Sequence, residues 1–154
     1  MQTKAVIDHI VNWLKSYSEA SGTDGFVIGI SGGIDSAVTS TLCALTGKRV
    51  IVLNLPIRQF KTEFDRSAEH IKWLMSKFKN VETATVDLTG TLESLETTFP
   101  KDVQDFLTMA NTRARFRMTT LYAFAGHNRL LVAGTGNKVE DFGIGFFTKY
   151  GDGG

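Results

Sequence analysis

Gly29, Ile30, Ser31, Gly32, Gly33, Ile34, Asp35 and Ser36 set three glycines, two serines and one carboxylate between an apolar run and a helix-like run. Gly32 and Gly33 remove Cβ atoms where backbone amides must approach a ligand. The helix that follows turns its positive end to the same place, a combination that suits phosphate. The spacing is not that of a Walker A loop, and no lysine closes it. Asp35 stands where that cation would be; beside a polyphosphate it is repelled unless Mg²⁺ lies between them. Ser31 and Ser36 offer hydroxyls to phosphate oxygens. The same string also serves as a tight strand-to-helix turn with Asp35 or Ser36 near an N-cap.

The elements that must position this loop follow from hydrophobic periodicity. Ile7, Ile10, Val11 and Leu14 predict an amphipathic helix over 5–17. GFVIGI (25–30) and RVIVLNLP (49–56) read as buried strands, with a helix between them closed by Gly47. Ala68, Ile71, Leu74, Met75 and Phe78 mark a helix across 63–79, VETATVDL (81–88) a weaker strand, and a short helical stretch ends near Pro100. Val103, Phe106, Leu107, Ala110, Ala114, Met118, Leu121 and Phe124 outline a long helix from Asp102 to about Gly126, before a fourth strand in NRLLVAGT (128–135). Alternating strands and helices predict an α/β fold, a doubly wound parallel sheet with right-handed crossovers. Ligands of such sheets sit beyond the carboxyl ends of the strands, where strand order reverses. If strands one and four are neighbours, SGGIDS and GTGNKVE (134–140) face one crevice.

Composition bounds the partners. The 154 residues fit a single domain, 1–154, and a net charge of +1 supplies no broad basic face, so nucleic acid is a poor partner and any anion must be caught locally. The apolar runs fall short of a membrane span and the amino terminus is not signal-like, which gives no membrane partner and a cytoplasmic setting. The lone Cys43 excludes a disulfide framework within the chain and a multi-cysteine zinc site, and argues against redox chemistry. Among Leu42, Ala44 and Leu45 it reads as a packed, inert thiol.

SGGIDS after the first strand resembles the pyrophosphate loop of the ATP pyrophosphatases. NTRARFRM (111–118), GTGNKVE (134–140) and GFFTKYGDGG (145–154) resemble segments of the NAD synthetase family in the same order and at similar spacing. The resemblance implies the adenine nucleotide α-hydrolase-like, Rossmann-like sheet. It also implies that ATP adenylates the carboxylate of nicotinic acid adenine dinucleotide (deamido-NAD), after which ammonia displaces AMP and leaves NAD. Matched residue by residue, 29–36 would cradle the ATP phosphates with Asp35 on Mg²⁺, Thr135 would contact ATP, and Glu140 would be a second Mg²⁺ ligand. Arg115 and Lys149 match positions that bind deamido-NAD. No general base is assigned, because metal and fixed dipoles suit the charge that gathers around the α-phosphate.

The bland readings stand beside these. Arg115, one helical turn beyond Asn111, serves equally as a solvated arginine, Glu140 and Lys149 as surface charges, and FFTKYGDGG as a frayed end instead of a mobile loop over the dinucleotide. Glutamine-dependent relatives carry an additional amidotransferase domain for which the residues before the first strand leave no room, so free ammonia is the implied nitrogen donor. Family members continue past KYGDGG, so the chain reads as a synthetase lacking its C-terminal elements. The family also implies a homodimer, with the 102–126 helix as the contact and Tyr122 and Phe124 outside its main stripe. Alternatives are the ATP pyrophosphatase part of a GMP synthetase or tRNA-modifying enzyme, or a non-catalytic nucleotide-binding module.

Overall fold

Successive residues of the first strand point to opposite sides of the sheet and feed two separate cores. In the computed structural model, which describes residues 2–58 and 61–152, this strand is β1 (Gly25–Gly29). Val27 packs with Ile51, Leu53, Leu92, Met109 and Leu121. Phe26 and Ile28 pack with Cys43, Val50, Val52, Ile71 and Leu74. The first core is closed by α4 (Thr89–Thr98) and α5 (Phe106–Asn128), the second by α2 (Ile34–Leu45) and α3 (Lys61–Lys77), with Leu14 of α1 (Thr3–Ala20) at its margin. A sheet buried on both faces is what the unbroken apolar runs predict.

With β2 (Arg49–Asn54), β3 (Val81–Thr85) and β4 (Leu131–Val132), the strands run in the order β3-β2-β1-β4, all pairs parallel. The chain leaves β1 toward β2 and β3 and returns on the other side as β4, so the strand order reverses between β1 and β4. The adjacency that would bring the two glycine-rich loops together is present.

Most element boundaries shift by a few residues from the periodicity, the 81–88 strand for one ending at Thr85, and the long helix and the fourth strand show why. The long helix starts at Phe106, not Asp102, because Asp105 caps it by accepting the Thr108 N–H at 3.0 Å, while Lys101–Val103 forms a separate 3₁₀ turn. It runs past Gly126 to Asn128, where Arg129 turns left-handed at φ 57°. Only Leu131 and Val132 of the 128–135 run belong to the sheet; Ala133 still donates to the Val27 carbonyl at 3.0 Å, then the chain leaves. Cys43 is fully buried, and burial pushes its thiol up to about 12, as an inert core cysteine requires. Among the described residues, no helix is long and apolar enough to cross a membrane.

Candidate functional site

The phosphate-type loop holds itself together before any ligand arrives. Ile30 makes the last sheet bond, donating to the Leu53 carbonyl at 2.9 Å. The Ser31 N–H then reaches the Ser36 hydroxyl at 3.3 Å, the two hydroxyls lie 3.1 Å apart, and the Gly33 N–H donates to Ser31 Oγ at 3.2 Å. Ser36 Oγ donates to the Gly33 carbonyl at 3.0 Å and is buried, so its hydroxyl braces the turn from inside. Gly32 has φ +83°, a conformation that a side chain would strain. Gly33, in extended backbone, is the N-cap of α2, and Asp35 lies one residue inside the helix, in its first turn. Asp35 and Ser36 therefore stand near the N-cap, as the tight-turn reading has it.

The loop after β4 faces it. Asn137 Oδ1 accepts the N–H groups of Val139 and Glu140, each at 3.0 Å, and starts a π-helical turn over Val139–Ile144. Such turns recur at functional sites. Gly136 lies so close to this turn that a Cβ there would fall 2.4 Å from Asp141 Oδ2.

A third segment, Thr148–Asp152, folds over both. The Thr148 hydroxyl donates to Asn111 Oδ1 at 2.6 Å, the Thr148 N–H donates to Asp152 Oδ1, and the Arg115 Nε–H donates to the Lys149 carbonyl at 3.2 Å. The turn is thus tied to α5 at two places one helical turn apart.

These segments enclose two adjoining cavities. The inner one, about 440 Å³, lies between Gly29–Ser31, Val132–Thr135, Gly151–Asp152 and the α5 residues Arg117, Met118 and Leu121. The outer one, about 240 Å³, has Ser31, Gly33, Asp35 and Ser36 on one side and Thr135, Glu140 and Asp141 on the other. Ser31, Thr135 and Asp152 line both. An elongated ligand with an apolar body would fit the inner cavity, and an anionic end would enter the carboxylate-lined outer one together with a cation.

The sequence-assigned residues divide accordingly. Gly29, Ile30 and Ser31 line the inner cavity, Ser31, Gly33, Asp35 and Ser36 the outer one, and Thr135 both; Asp35 and Glu140, 105 positions apart, share the outer cavity. Gly32 and Ile34 line neither, and Ile34 is 74% exposed. Arg115 and Lys149 lie together outside both cavities, with Lys149 Nζ 5.0 Å from the Tyr150 ring centre. Sequence reasoning did not single out Arg117, Asp141 or Asp152. For Arg117 a signal was available, since it stands three residues after Ala114 and four before Leu121 on the apolar stripe. The last two glycines of GFFTKYGDGG lie outside the described residues.

Residues 6–154 match a protein family described as NAD synthase. The chain is 38% identical over 150 residues to an NH(3)-dependent NAD(+) synthetase of Methanosarcina acetivorans, covering 96% of this chain and 57% of that protein. Among solved structures, it superposes on an NMN synthetase from Francisella tularensis with a TM-score of 0.89 at 34% identity, over 99% of this chain and 61% of that one. An NH3-dependent NAD synthetase from Campylobacter jejuni, solved in complex with the nitrate ion, gives a TM-score of 0.88 at 28% identity, over 99% and 64% of the two chains. The chain spans little more than half the length of the curated relative. The doubly wound sheet predicted from the sequence is the fold of these proteins.

Proposed function

The chain belongs to the NAD synthase family, and from that premise we propose that its site adenylates the carboxylate of deamido-NAD with ATP and passes the acyl group to ammonia. The observation that carries this is the paired cavity, with the Ser31–Ser36 loop and the Thr135–Asp141 segment on opposite sides of its outer part. The β- and γ-phosphates would lie in the outer cavity against the backbone amides of the loop and the first turn of α2. The α-phosphate would lie at the junction beside Ser31 and Thr135. A carboxylate oxygen attacks the α-phosphorus as the bond to pyrophosphate breaks. Ammonia then attacks the acyl carbon and AMP departs. The fixed dipoles of the loop stabilise the charge that develops.

Asp35 and Glu140 would hold Mg²⁺. Among the described residues, no three His, Cys, Asp or Glu side chains gather to hold a metal. Two facing carboxylates therefore fit a cation that takes its other ligands from phosphate and water, as Mg²⁺ does. When bound, the ion supplies neutralisation of the polyphosphate charge. Arg115 and Lys149 would meet the dinucleotide outside the cavities, and the working form would be a homodimer joined through α5.

A second reading has one observation in its favour. The neighbour named an NMN synthetase is 34% identical to this chain, so the acid substrate would be the mononucleotide. AMP release from ATP and ammonia, measured with deamido-NAD and with nicotinic acid mononucleotide, separates the two. Deamido-NAD as the better substrate by kcat/KM supports the first reading, and the mononucleotide as the better one replaces it. AMP release that needs neither acid overturns both.

A further inference from the structure

Asn54, the last residue of β2, is 2% exposed, and among the described residues its Oδ1 is the one buried side-chain oxygen or nitrogen without a hydrogen-bond partner. Its backbone is satisfied, since the strand pairs Asn54 with Thr85 and the Asn54 carbonyl accepts the Val86 N–H at 2.9 Å. The buried hydroxyls are satisfied too. Ser18, Ser36, Ser40, Thr46 and Ser67 each donate to a backbone carbonyl within five residues. An amide oxygen left alone away from water costs free energy that a leucine of similar shape would not. Such an oxygen marks a place to which a donor comes.

The position of the amide in the sheet narrows that donor. Ligands of doubly wound sheets lie beyond the carboxyl ends of the strands, and Asn54 stands at that end of β2, beside the strand that carries the phosphate loop. Leu53 and Leu55 turn to the α4–α5 core and Val50 and Val52 to the α2–α3 core, so Asn54 shares the face of Val52. Ile30, whose N–H donates to the Leu53 carbonyl, belongs to that second core and also lines the inner cavity. Leu55, the next residue of the chain, lines it as well. Asn54 thus lies just behind two residues of the cavity wall. With Met118, Leu121 and Val132 completing an apolar lining, the cavity suits a flat ring whose polar edge needs a partner.

The inference rests on the function proposed above, in which polyphosphate occupies the outer cavity and the α-phosphate the junction, so that the base of ATP falls in the inner one. We propose that the Asn54 carboxamide turns to that base and that its Oδ1 accepts an N–H of the adenine amino group, which makes Asn54 a specificity-determining residue for the nucleotide. Side-chain rotamers commonly change on binding. The free protein already bears the desolvation of this oxygen, so the bond adds to affinity without that cost.

The test is calorimetric binding in Mg²⁺ of ATP and of purine riboside triphosphate, which lacks the amino group, to the wild-type chain and to Asn54→Leu. The wild type should favour ATP by about tenfold, and Asn54→Leu should bind the two alike. Without nucleotide, Asn54→Leu should melt higher than the wild type, since it removes the lone oxygen and keeps the volume. A variant that keeps the preference for ATP overturns the inference; if it also melts lower, a buried water is the partner of Oδ1 instead. A wild type that binds both nucleotides equally overturns the inference alone, whereas one that binds neither overturns the proposed function with it. If Asn54→Leu fails to fold, the Asn54 side-chain amide resonances of the wild type decide. A shift with ATP but not with purine riboside triphosphate supports the proposal, and identical shifts overturn it.

Discussion

Asp35 and Glu140 line the cavity proposed to hold polyphosphate, where a carboxylate would either bind a metal or repel the phosphate. The two roles differ in sign. Asp35→Asn and Glu140→Gln should each weaken ATP binding in Mg²⁺, by about tenfold or more, and change it little in EDTA; calorimetric titration under both conditions measures this. Asp35 should be the more severe, since it stands in the first turn of the helix that closes the phosphate loop. Stronger binding in Mg²⁺ by either variant would show a carboxylate that only repels. At this scale the sequence was informative about backbone and less so about side chains. The turn at Gly32 and the place of Asp35 in the first turn of α2 were legible, because a strand-to-helix turn of this kind leaves few alternatives. The bracing role of Ser36 was not, because a hydroxyl that props the loop and one that meets a ligand occupy the same position in the string.

The elements carry a different lesson, visible at the two ends of α5. Val103 falls in helical register with Phe106 and Leu107, so periodicity alone extends the helix back to Asp102. The Asp105 cap overrides it: side-chain and backbone hydrogen bonds from Thr108 hold the Asp105 carboxyl below the ordinary aspartate range. A carboxyl with a depressed folded pKa contributes stability above its unfolded pKa and loses it as pH falls through the folded one. Asp105→Ala should therefore melt a few degrees lower than the wild type at neutral pH. The two melting temperatures should converge as the pH drops below the ordinary aspartate pKa near 3.8. A thermal melt series across pH checks this, and a gap that persists at low pH would assign the loss to something other than the ionised cap. The 128–135 run erred in the opposite direction. Eight residues of strand composition provide two sheet residues, because beyond Ala133 the chain turns away to make a wall of the site. No local signal in the apolar run marks that departure.

At the scale of the whole molecule, large apolar side chains stand exposed on α5. Phe106 is 85% exposed and Tyr122 63%, on the helix proposed as the dimer contact, whereas Phe124 is half-buried and packs against the core. Of the two aromatic residues outside the main stripe, Tyr122 is thus the one presented outward. Light scattering at rising concentration should give twice the chain mass, and Phe106→Ser with Tyr122→Ser should return it to one. A wild type that stays monomeric with and without ligand would remove α5 as the contact.

The brevity of β4 also sets how the cavities behave mechanically. The phosphate loop rides on β1, which is paired along five residues with β2, whereas the opposing wall leaves a strand paired at two positions. One jaw is therefore stiff and the other compliant, since the free energy of local opening falls with the number of buried contacts and ladder bonds that must break. A ligand that spans both jaws spends part of its binding energy holding the compliant one in place. Fragments that touch only the stiff jaw escape that cost, but they cannot draw the far carboxylates toward the phosphate those residues are proposed to serve.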